Sequence, residues 1–155
     1  MGDGSFVTGR RFKQTRTFDA DLELKDAGLV AASAAGEVNS VAQILDIGTG
    51  YWESDVIIDV SACEVDTGDE LYQIGIQISS KSDFSSDIYE VATLKLGDAS
   101  VLPGDVDMGA GRYVLKCTNA IAENVTKRYA RVYTTVSGTI ATGINYTAYM
   151  STDNK

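Results

Sequence analysis

The side chains best able to do chemistry in this 155-residue chain are its carboxylates, its two cysteines and its eight tyrosines. The run Leu45-Asp46-Ile47-Gly48-Thr49-Gly50 has the form of a glycine-rich loop that opens a nucleotide-like cofactor site. In such a loop the glycines admit the cofactor and the chain turns into a helix. Here Tyr51, Trp52 and Glu53 follow and lead into the alternating run Asp55 to Val60. The expectation is therefore a Gly-Thr-Gly turn between strands. Two carboxylate groups, Asp55, Asp59, Asp66 and Asp69, then Asp98, Asp105 and Asp107, invite comparison with calcium loops and glycosidase pairs. Neither has the Asp-x-Asp-x-Asp-Gly spacing. The chain contains no His, the side chain most used for acid–base work near neutrality and the commonest nitrogen ligand for metals. No Gly-x-Ser-x-Gly elbow is present. Cys63 and Cys117 match no metal or redox spacing and read as free thiols packed as small hydrophobes. The sequence predicts no catalytic residue, no metal and no cofactor.

Two features suit contact with other molecules instead. Arg10, Arg11, Lys13 and Arg16 gather four of the thirteen basic residues near the N-terminus, with Phe6, Phe12 and Phe18 between them. Residues 1–21 are read as a basic arm, either a solvated terminus or a segment that orders on an acidic neighbouring protein through its cations and aromatic anchors such as Phe12. Tyr129, Arg131, Tyr133 and Tyr149 form the second feature, since tyrosine joins an apolar body to a polar tip. They read either as a surface stripe for a subunit or partner contact, or as the second face of an internally packed sheet. The net charge of −9 opposes binding to nucleic-acid phosphates. The start has no signal-peptide core, and no run approaches the roughly 18 apolar residues of a membrane span. Synthesis in a cytoplasm, without a membrane partner, is expected.

The elements that must position these residues are strands. Residues 22–155 read as one domain, a length that can bury a core of its own. Tyr72, Ile74, Ile76 and Ile78 alternate with Gln73, Gly75, Gln77 and Ser79, the cleanest period-two pattern in the chain. Val56, Ile58 and Val60 alternate with Asp55, Ile57 and Asp59, which predicts a strand with one wet face carrying two carboxylates. Further strands are expected over Val41 to Ile47, Ile88 to Leu96 and Arg112 to Thr118. Ser79 to Asp87 reads as a polar loop around Phe84, Gly97 to Gly111 as a long loop, and Asn119 to Lys127 as a link with room for one helical turn. The segment Arg128 to Met150 has two runs rich in Tyr, Val, Thr and Ile flanking a Gly-containing connection, the mark of a β-hairpin. Ala130, Val132, Thr134 and Val136 share one face of its first run, and Ile144, Tyr146, Ala148 and Met150 one face of its second. About eight antiparallel strands with Gly-rich turns and no amphipathic helix predict an all-β sandwich or jelly roll.

With that pattern in place, a resemblance emerges. It is carried by Leu45 to Gly50 before a strand, by Ile76-Gln77-Ile78-Ser79 with Phe84-Ser85-Ser86 and Val91-Ala92-Thr93-Leu94, by Arg128 through Thr139, and by the closing Gly143 to Tyr149 run. In their order and spacing, over roughly residues 22–151, these resemble the capsid cement (decoration) proteins of tailed bacteriophages related to the Bordetella phage cement protein. The resemblance implies a β jelly roll that assembles as a homotrimer on the outer surface of the virion head. It also implies the major capsid protein as partner, with neighbouring capsid subunits bridged. The chain departs from shorter members of that family by its basic, Phe-containing N-terminal extension. A second expectation is a β-sandwich module that binds carbohydrate or a host receptor through exposed tyrosines and loop carboxylates.

Overall fold

The computed structural model describes residues 18–103 and 108–151. Among them the one helical element is a 3-10 turn, Ala20–Leu22, capped by the Asp19 carboxylate, which accepts the Asp21 N–H. In chain order the strands are β1 (Glu23–Lys25), β2 (Leu29–Val30), β3 (Ala34–Ala35), β4 (Glu37–Val38), β5 (Val41–Ala42), β6 (Leu45–Asp46) and β7 (Glu53–Cys63). They continue as β8 (Leu71–Ser79), β9 (Ile88–Gly97), β10 (Gly111–Thr118), β11 (Ala120–Ala122), β12 (Val125–Thr126), β13 (Tyr129–Ser137) and β14 (Ile144–Ser151). The first sheet runs β1-β14-β7-β10 with β2 also on β14. The second runs β3-β13-β8-β9 with β6 also on β13. Every pairing is antiparallel, and β4-β5 and β11-β12 form separate small hairpins. The chain is an all-β sandwich.

Alternation builds the core. Tyr72, Ile74, Ile76 and Ile78 on β8 and Ala130 and Val132 on β13 are buried against Val56, Ile58 and Val60 on β7 and Ile144, Tyr146, Ala148 and Met150 on β14. Leu24, Leu45, Leu96 and Cys117 close the periphery of the core. Burial lifts the Cys117 thiol to about 12, with the nearby Asp55 charge adding to it. Cys63 and Cys117 are not joined in a disulfide.

Arg128 to Met150 is not a hairpin. β13 lies beside β8 in the second sheet, and β14 lies beside β7 in the first. A hairpin would set the apolar faces of these strands side by side in one sheet, whereas crossing between sheets lets them bury each other. At the crossing Thr134 Oγ1 and Tyr146 OH are hydrogen-bonded at 2.6 Å inside the core. The connection 138–143 is also too long for the two-residue turns that close tight hairpins. It starts and ends on left-handed glycines, Gly138 (φ 93°) and Gly143 (φ 96°). A Cβ there would stand 2.1 Å from the Asp69 carbonyl oxygen and 2.0 Å from that of Val30.

Carboxylates hold this connection down. Glu64 accepts the N–H groups of Ala141, Thr142 and Gly143, and Asp69 accepts the N–H and hydroxyl of Thr139. Glu70, fully buried, accepts the amides of Thr67, Gly68 and Asp69. The Gly143 and Thr142 amides keep the Glu64 pKa low, and the Thr139 amide does the same for Asp69. Burial pushes Glu70 upward, but the Thr67 and Gly68 bonds outweigh it and its pKa is also lowered. These acids are structural acceptors.

Three local expectations give way. The face of β7 predicted to be wet is covered where Ile57 sits between Tyr149 on β14 and Val114 on β10, and both Ile57 and Asp55 are buried. Cross-strand partners neutralise its acids, Lys116 for Asp55 at 3.3 Å and Arg112 for Asp59 in a bidentate pair at 2.6 and 2.8 Å. Val41 to Ile47 divides into β5 and β6, which pair with β4 and β13 respectively. The link 119–127 is the β11-β12 hairpin, turned at Asn124 (φ 62°), a residue type that tolerates the left-handed region.

Two outcomes follow for stability. Tyr146→Phe strands the Thr134 hydroxyl in the core and is expected to cost about 1–3 kcal/mol in urea unfolding. The Tyr146→Phe/Thr134→Val double variant, with both partners apolar, should recover part of that loss, and equal single and double costs would refute the pairing. Groups with lowered pKa stabilise above their unfolded value and lose that contribution as pH falls through the folded one. Thermal stability should therefore fall as pH drops below roughly 4.5. Glu64→Gln should lower the melting temperature at pH 7 and flatten the acid limb, and an unchanged limb would remove Glu64 from the account.

Candidate functional site

The outer face of the second sheet collects cations and aromatic rings. On β13, Tyr129, Arg131 and Tyr133 point away from the core, opposite Ser79, Gln77 and Gly75 of β8. Arg131 Nε donates to Gln77 Oε1 at 2.8 Å. Its guanidinium carbon lies 4.4 Å from the ring centre of Phe84 and 5.0 Å from that of Tyr133. Arg128 stands 5.5 Å from the Tyr129 ring and makes a bidentate pair with Asp46 at 2.8 Å. Lys127 stands 5.1 Å from the Tyr89 ring and binds Asp87 at 2.8 Å. Each contact is a cation–π arrangement.

The loop 80–87 supplies one wall. Phe84 is buried although its neighbours are polar, and it adopts a left-handed φ of 52° with its N–H donated to the Lys81 carbonyl. Asp87, also left-handed, accepts from Lys127 and from the Ser80 hydroxyl, and these two, Lys127 first, bring its pKa down to about 2. On β9, Glu90 folds across Gly75, where a Cβ would stand 2.0 Å from Glu90 Oε1, and takes hydrogen bonds from Gln73 and Thr93. Glycine at position 75 thus makes room for a neighbouring carboxylate.

The residues singled out from sequence divide among three places. Tyr129, Arg131 and Tyr133 share the surface just described, each half-buried. Tyr149 belongs to the other sheet, mostly buried with Phe18 edge-on at 5.2 Å, so the tyrosines do not make one stripe. Arg10, Arg11, Phe12, Lys13 and Arg16 lie outside the described residues. Phe84, Gln77, Lys127 and Asp87 join the face without having been singled out. A lone aromatic in a Ser/Asp loop was the one available signal, and it pointed to Phe84.

Asp46 is committed to Arg128 and to the Gly48 N–H, and the Arg128 bond holds its pKa low. Gly48-Thr49-Gly50 joins β6 to β7 with no helix. Among the described residues no group of three or more Cys, Asp or Glu is placed to hold a metal ion.

A separate groove of about 630 Å³ lies beside the β11-β12 hairpin, lined by Thr49, Tyr51, Ile121, Glu123, Asn124 and Thr126 among others, with Tyr51 66% exposed. Asn119 holds its walls together. This fully buried amide accepts the Trp52 N–H at 2.7 Å and donates to the carbonyls of Gly50 and Lys127 at 2.8 and 3.1 Å. Asn119→Ala is expected to cost about 2–4 kcal/mol in urea unfolding, and a loss under about 1 kcal/mol would show that the clasp is not needed.

No protein-family model matches the chain, and no curated protein matches it.

Proposed function

We propose that this protein is a structural virion protein, a capsid cement or decoration protein. As a homotrimer it binds the outer surface of an assembled bacteriophage head and stabilises it by bridging major capsid subunits. The reading rests on the family resemblance over residues 22–151, with the jelly roll as the finer description of the sandwich. One observation supports it most: the outer face of the second sheet presents Tyr129, Arg131 and Tyr133 around Phe84. Tyrosine and arginine are the residue types that carry most energy in protein interfaces. The other prominent acids and bases are occupied within the fold, Asp46 with Arg128, Asp87 with Lys127 and Asp59 with Arg112.

Cementing requires only that the protein bind the assembled shell better than its separate parts, since mass action then stabilises the assembly. Three linked copies add avidity. The basic arm, through Arg10, Arg11, Phe12, Lys13 and Arg16, would add contacts to an acidic part of the shell. No step of this role needs nucleic acid or a membrane.

A second reading, a carbohydrate or host-receptor module, is favoured by the groove beside Tyr51, where an exposed ring stands near Glu123 and Asn124. Such a ring offers a sugar a flat apolar platform within a concave, partly polar site. The test is to mix purified protein with capsids lacking it. Saturable binding and a higher disassembly temperature are expected, with reduced occupancy once residues 1–17 are deleted. Absence of binding, together with glycan affinity lost in Tyr51→Ala, would replace the first reading with the second.

A further inference from the structure

Among the described lysines and arginines, Arg131 is anomalous. Lys116, Arg112, Lys127 and Arg128 each face an aspartate. Lys25, though buried, donates to the carbonyls of Asp26, Gly28 and Tyr146. Lys81 and Lys95 are exposed, where water satisfies an ammonium at no cost. Arg131 is half-buried, lies against two rings and uses only Nε in a hydrogen bond, to the neutral amide of Gln77. Its two Nη groups have no hydrogen-bond partner among the described residues, and neither is sealed from the surface. Partial burial of a guanidinium with no ion-pair partner among the described residues carries a desolvation cost, and burial lowers the Arg131 pKa against the opposing influence of Tyr133. In a chain with nine excess negative charges, a half-buried cation without a counter-ion among the described residues is unusual.

We propose that Arg131 is a carboxylate receptor, held by Phe84, Tyr133 and Gln77 with its Nη edge open, and that an Asp or Glu side chain of a docking protein completes it. The planar fork of a guanidinium matches a carboxylate through two parallel N–H···O bonds. The flanking rings and Gln77 fix its orientation, so little rotamer freedom remains to be lost on binding. A polyanion such as nucleic acid is disfavoured, because the net charge of −9 repels it. The identity of the docking protein rests on the cement reading above, whereas the chemistry of the receptor does not.

The test has two arms. In ¹H–¹⁵N spectra of the full chain, the Arg131 Nε–Hε signal should shift saturably with the capped tripeptide Gly-Glu-Gly. It should not respond to Gly-Gln-Gly, and it should respond less to inorganic phosphate at equal concentration. No shift, or an equal shift with phosphate, overturns the carboxylate receptor. In the second arm, Arg131→Gln should lower occupancy of capsids at least about tenfold, which corresponds to about 1.4 kcal/mol. Arg131→Lys, which keeps the charge but not the fork, should fall between, and Lys95→Gln should match wild type. If Arg131→Gln melts far below wild type, the Lys variant alone decides this arm. Wild-type occupancy in the deciding Arg131 variant overturns the proposed docking. Capsids that take up no wild-type protein would sink the cement reading, while the spectra still decide the receptor.

Discussion

The passage of the chain from one sheet to the other between β13 and β14 is the constraint on which the rest of the sandwich depends. It sets Ala130, Val132 and Thr134 against Ile144, Tyr146 and Ala148 across a single core, where packing and apolar burial supply most of the stabilisation. The connection can sit there because its backbone amides find acceptors. Glu64 and Asp69 take the N–H groups of Thr139, Ala141, Thr142 and Gly143, so the crossing leaves few orphaned donors at the end of the sandwich. Buried Glu70, in turn, fixes the loop that carries Asp69.

Acidic residues therefore do a different job from the one their abundance suggests. They serve as hydrogen-bond acceptors at loop corners and as cross-strand partners for Arg112, Lys116, Lys127 and Arg128. Exposed pairs of this kind add little stability each. Their larger consequence is positional. Asp46 steers Arg128 over Tyr129 and Asp87 steers Lys127 over Tyr89, while Arg131 lies against Phe84 with no ion-pair partner among the described residues. That face is thereby held in one arrangement by residues distant from one another in sequence.

The strands were legible wherever side-chain alternation is strict. Tyr72, Ile74, Ile76 and Ile78 are all buried as the pattern requires, and the Gly48-Thr49-Gly50 turn lies between strands as its missing helix implied. Failures came where a second layer of contacts intervenes. Ile57 is buried on the face that alternation assigns to water, because Tyr149 and Val114 flank it from neighbouring strands. A two-residue strand such as β5 or β6 has too short a pattern to register at all.

By itself the sequence determined that the chain is all-β and which faces of its long strands are apolar, because the period of two is a local property of the extended backbone. It also fixed the absence of histidine and of any nucleophile motif, since these depend on composition and spacing. Which strand lies beside which was decided only by the tertiary structure. Arg128 to Met150 satisfies the local rules for a hairpin as well as for a crossing between sheets, and only burial of both apolar faces against each other distinguishes the two. The separation of Tyr149 from Tyr129 and Tyr133, and the meeting of Arg131 with Phe84 and Gln77, follow from that same choice. They depend on contacts between residues far apart in the chain, which no local pattern encodes.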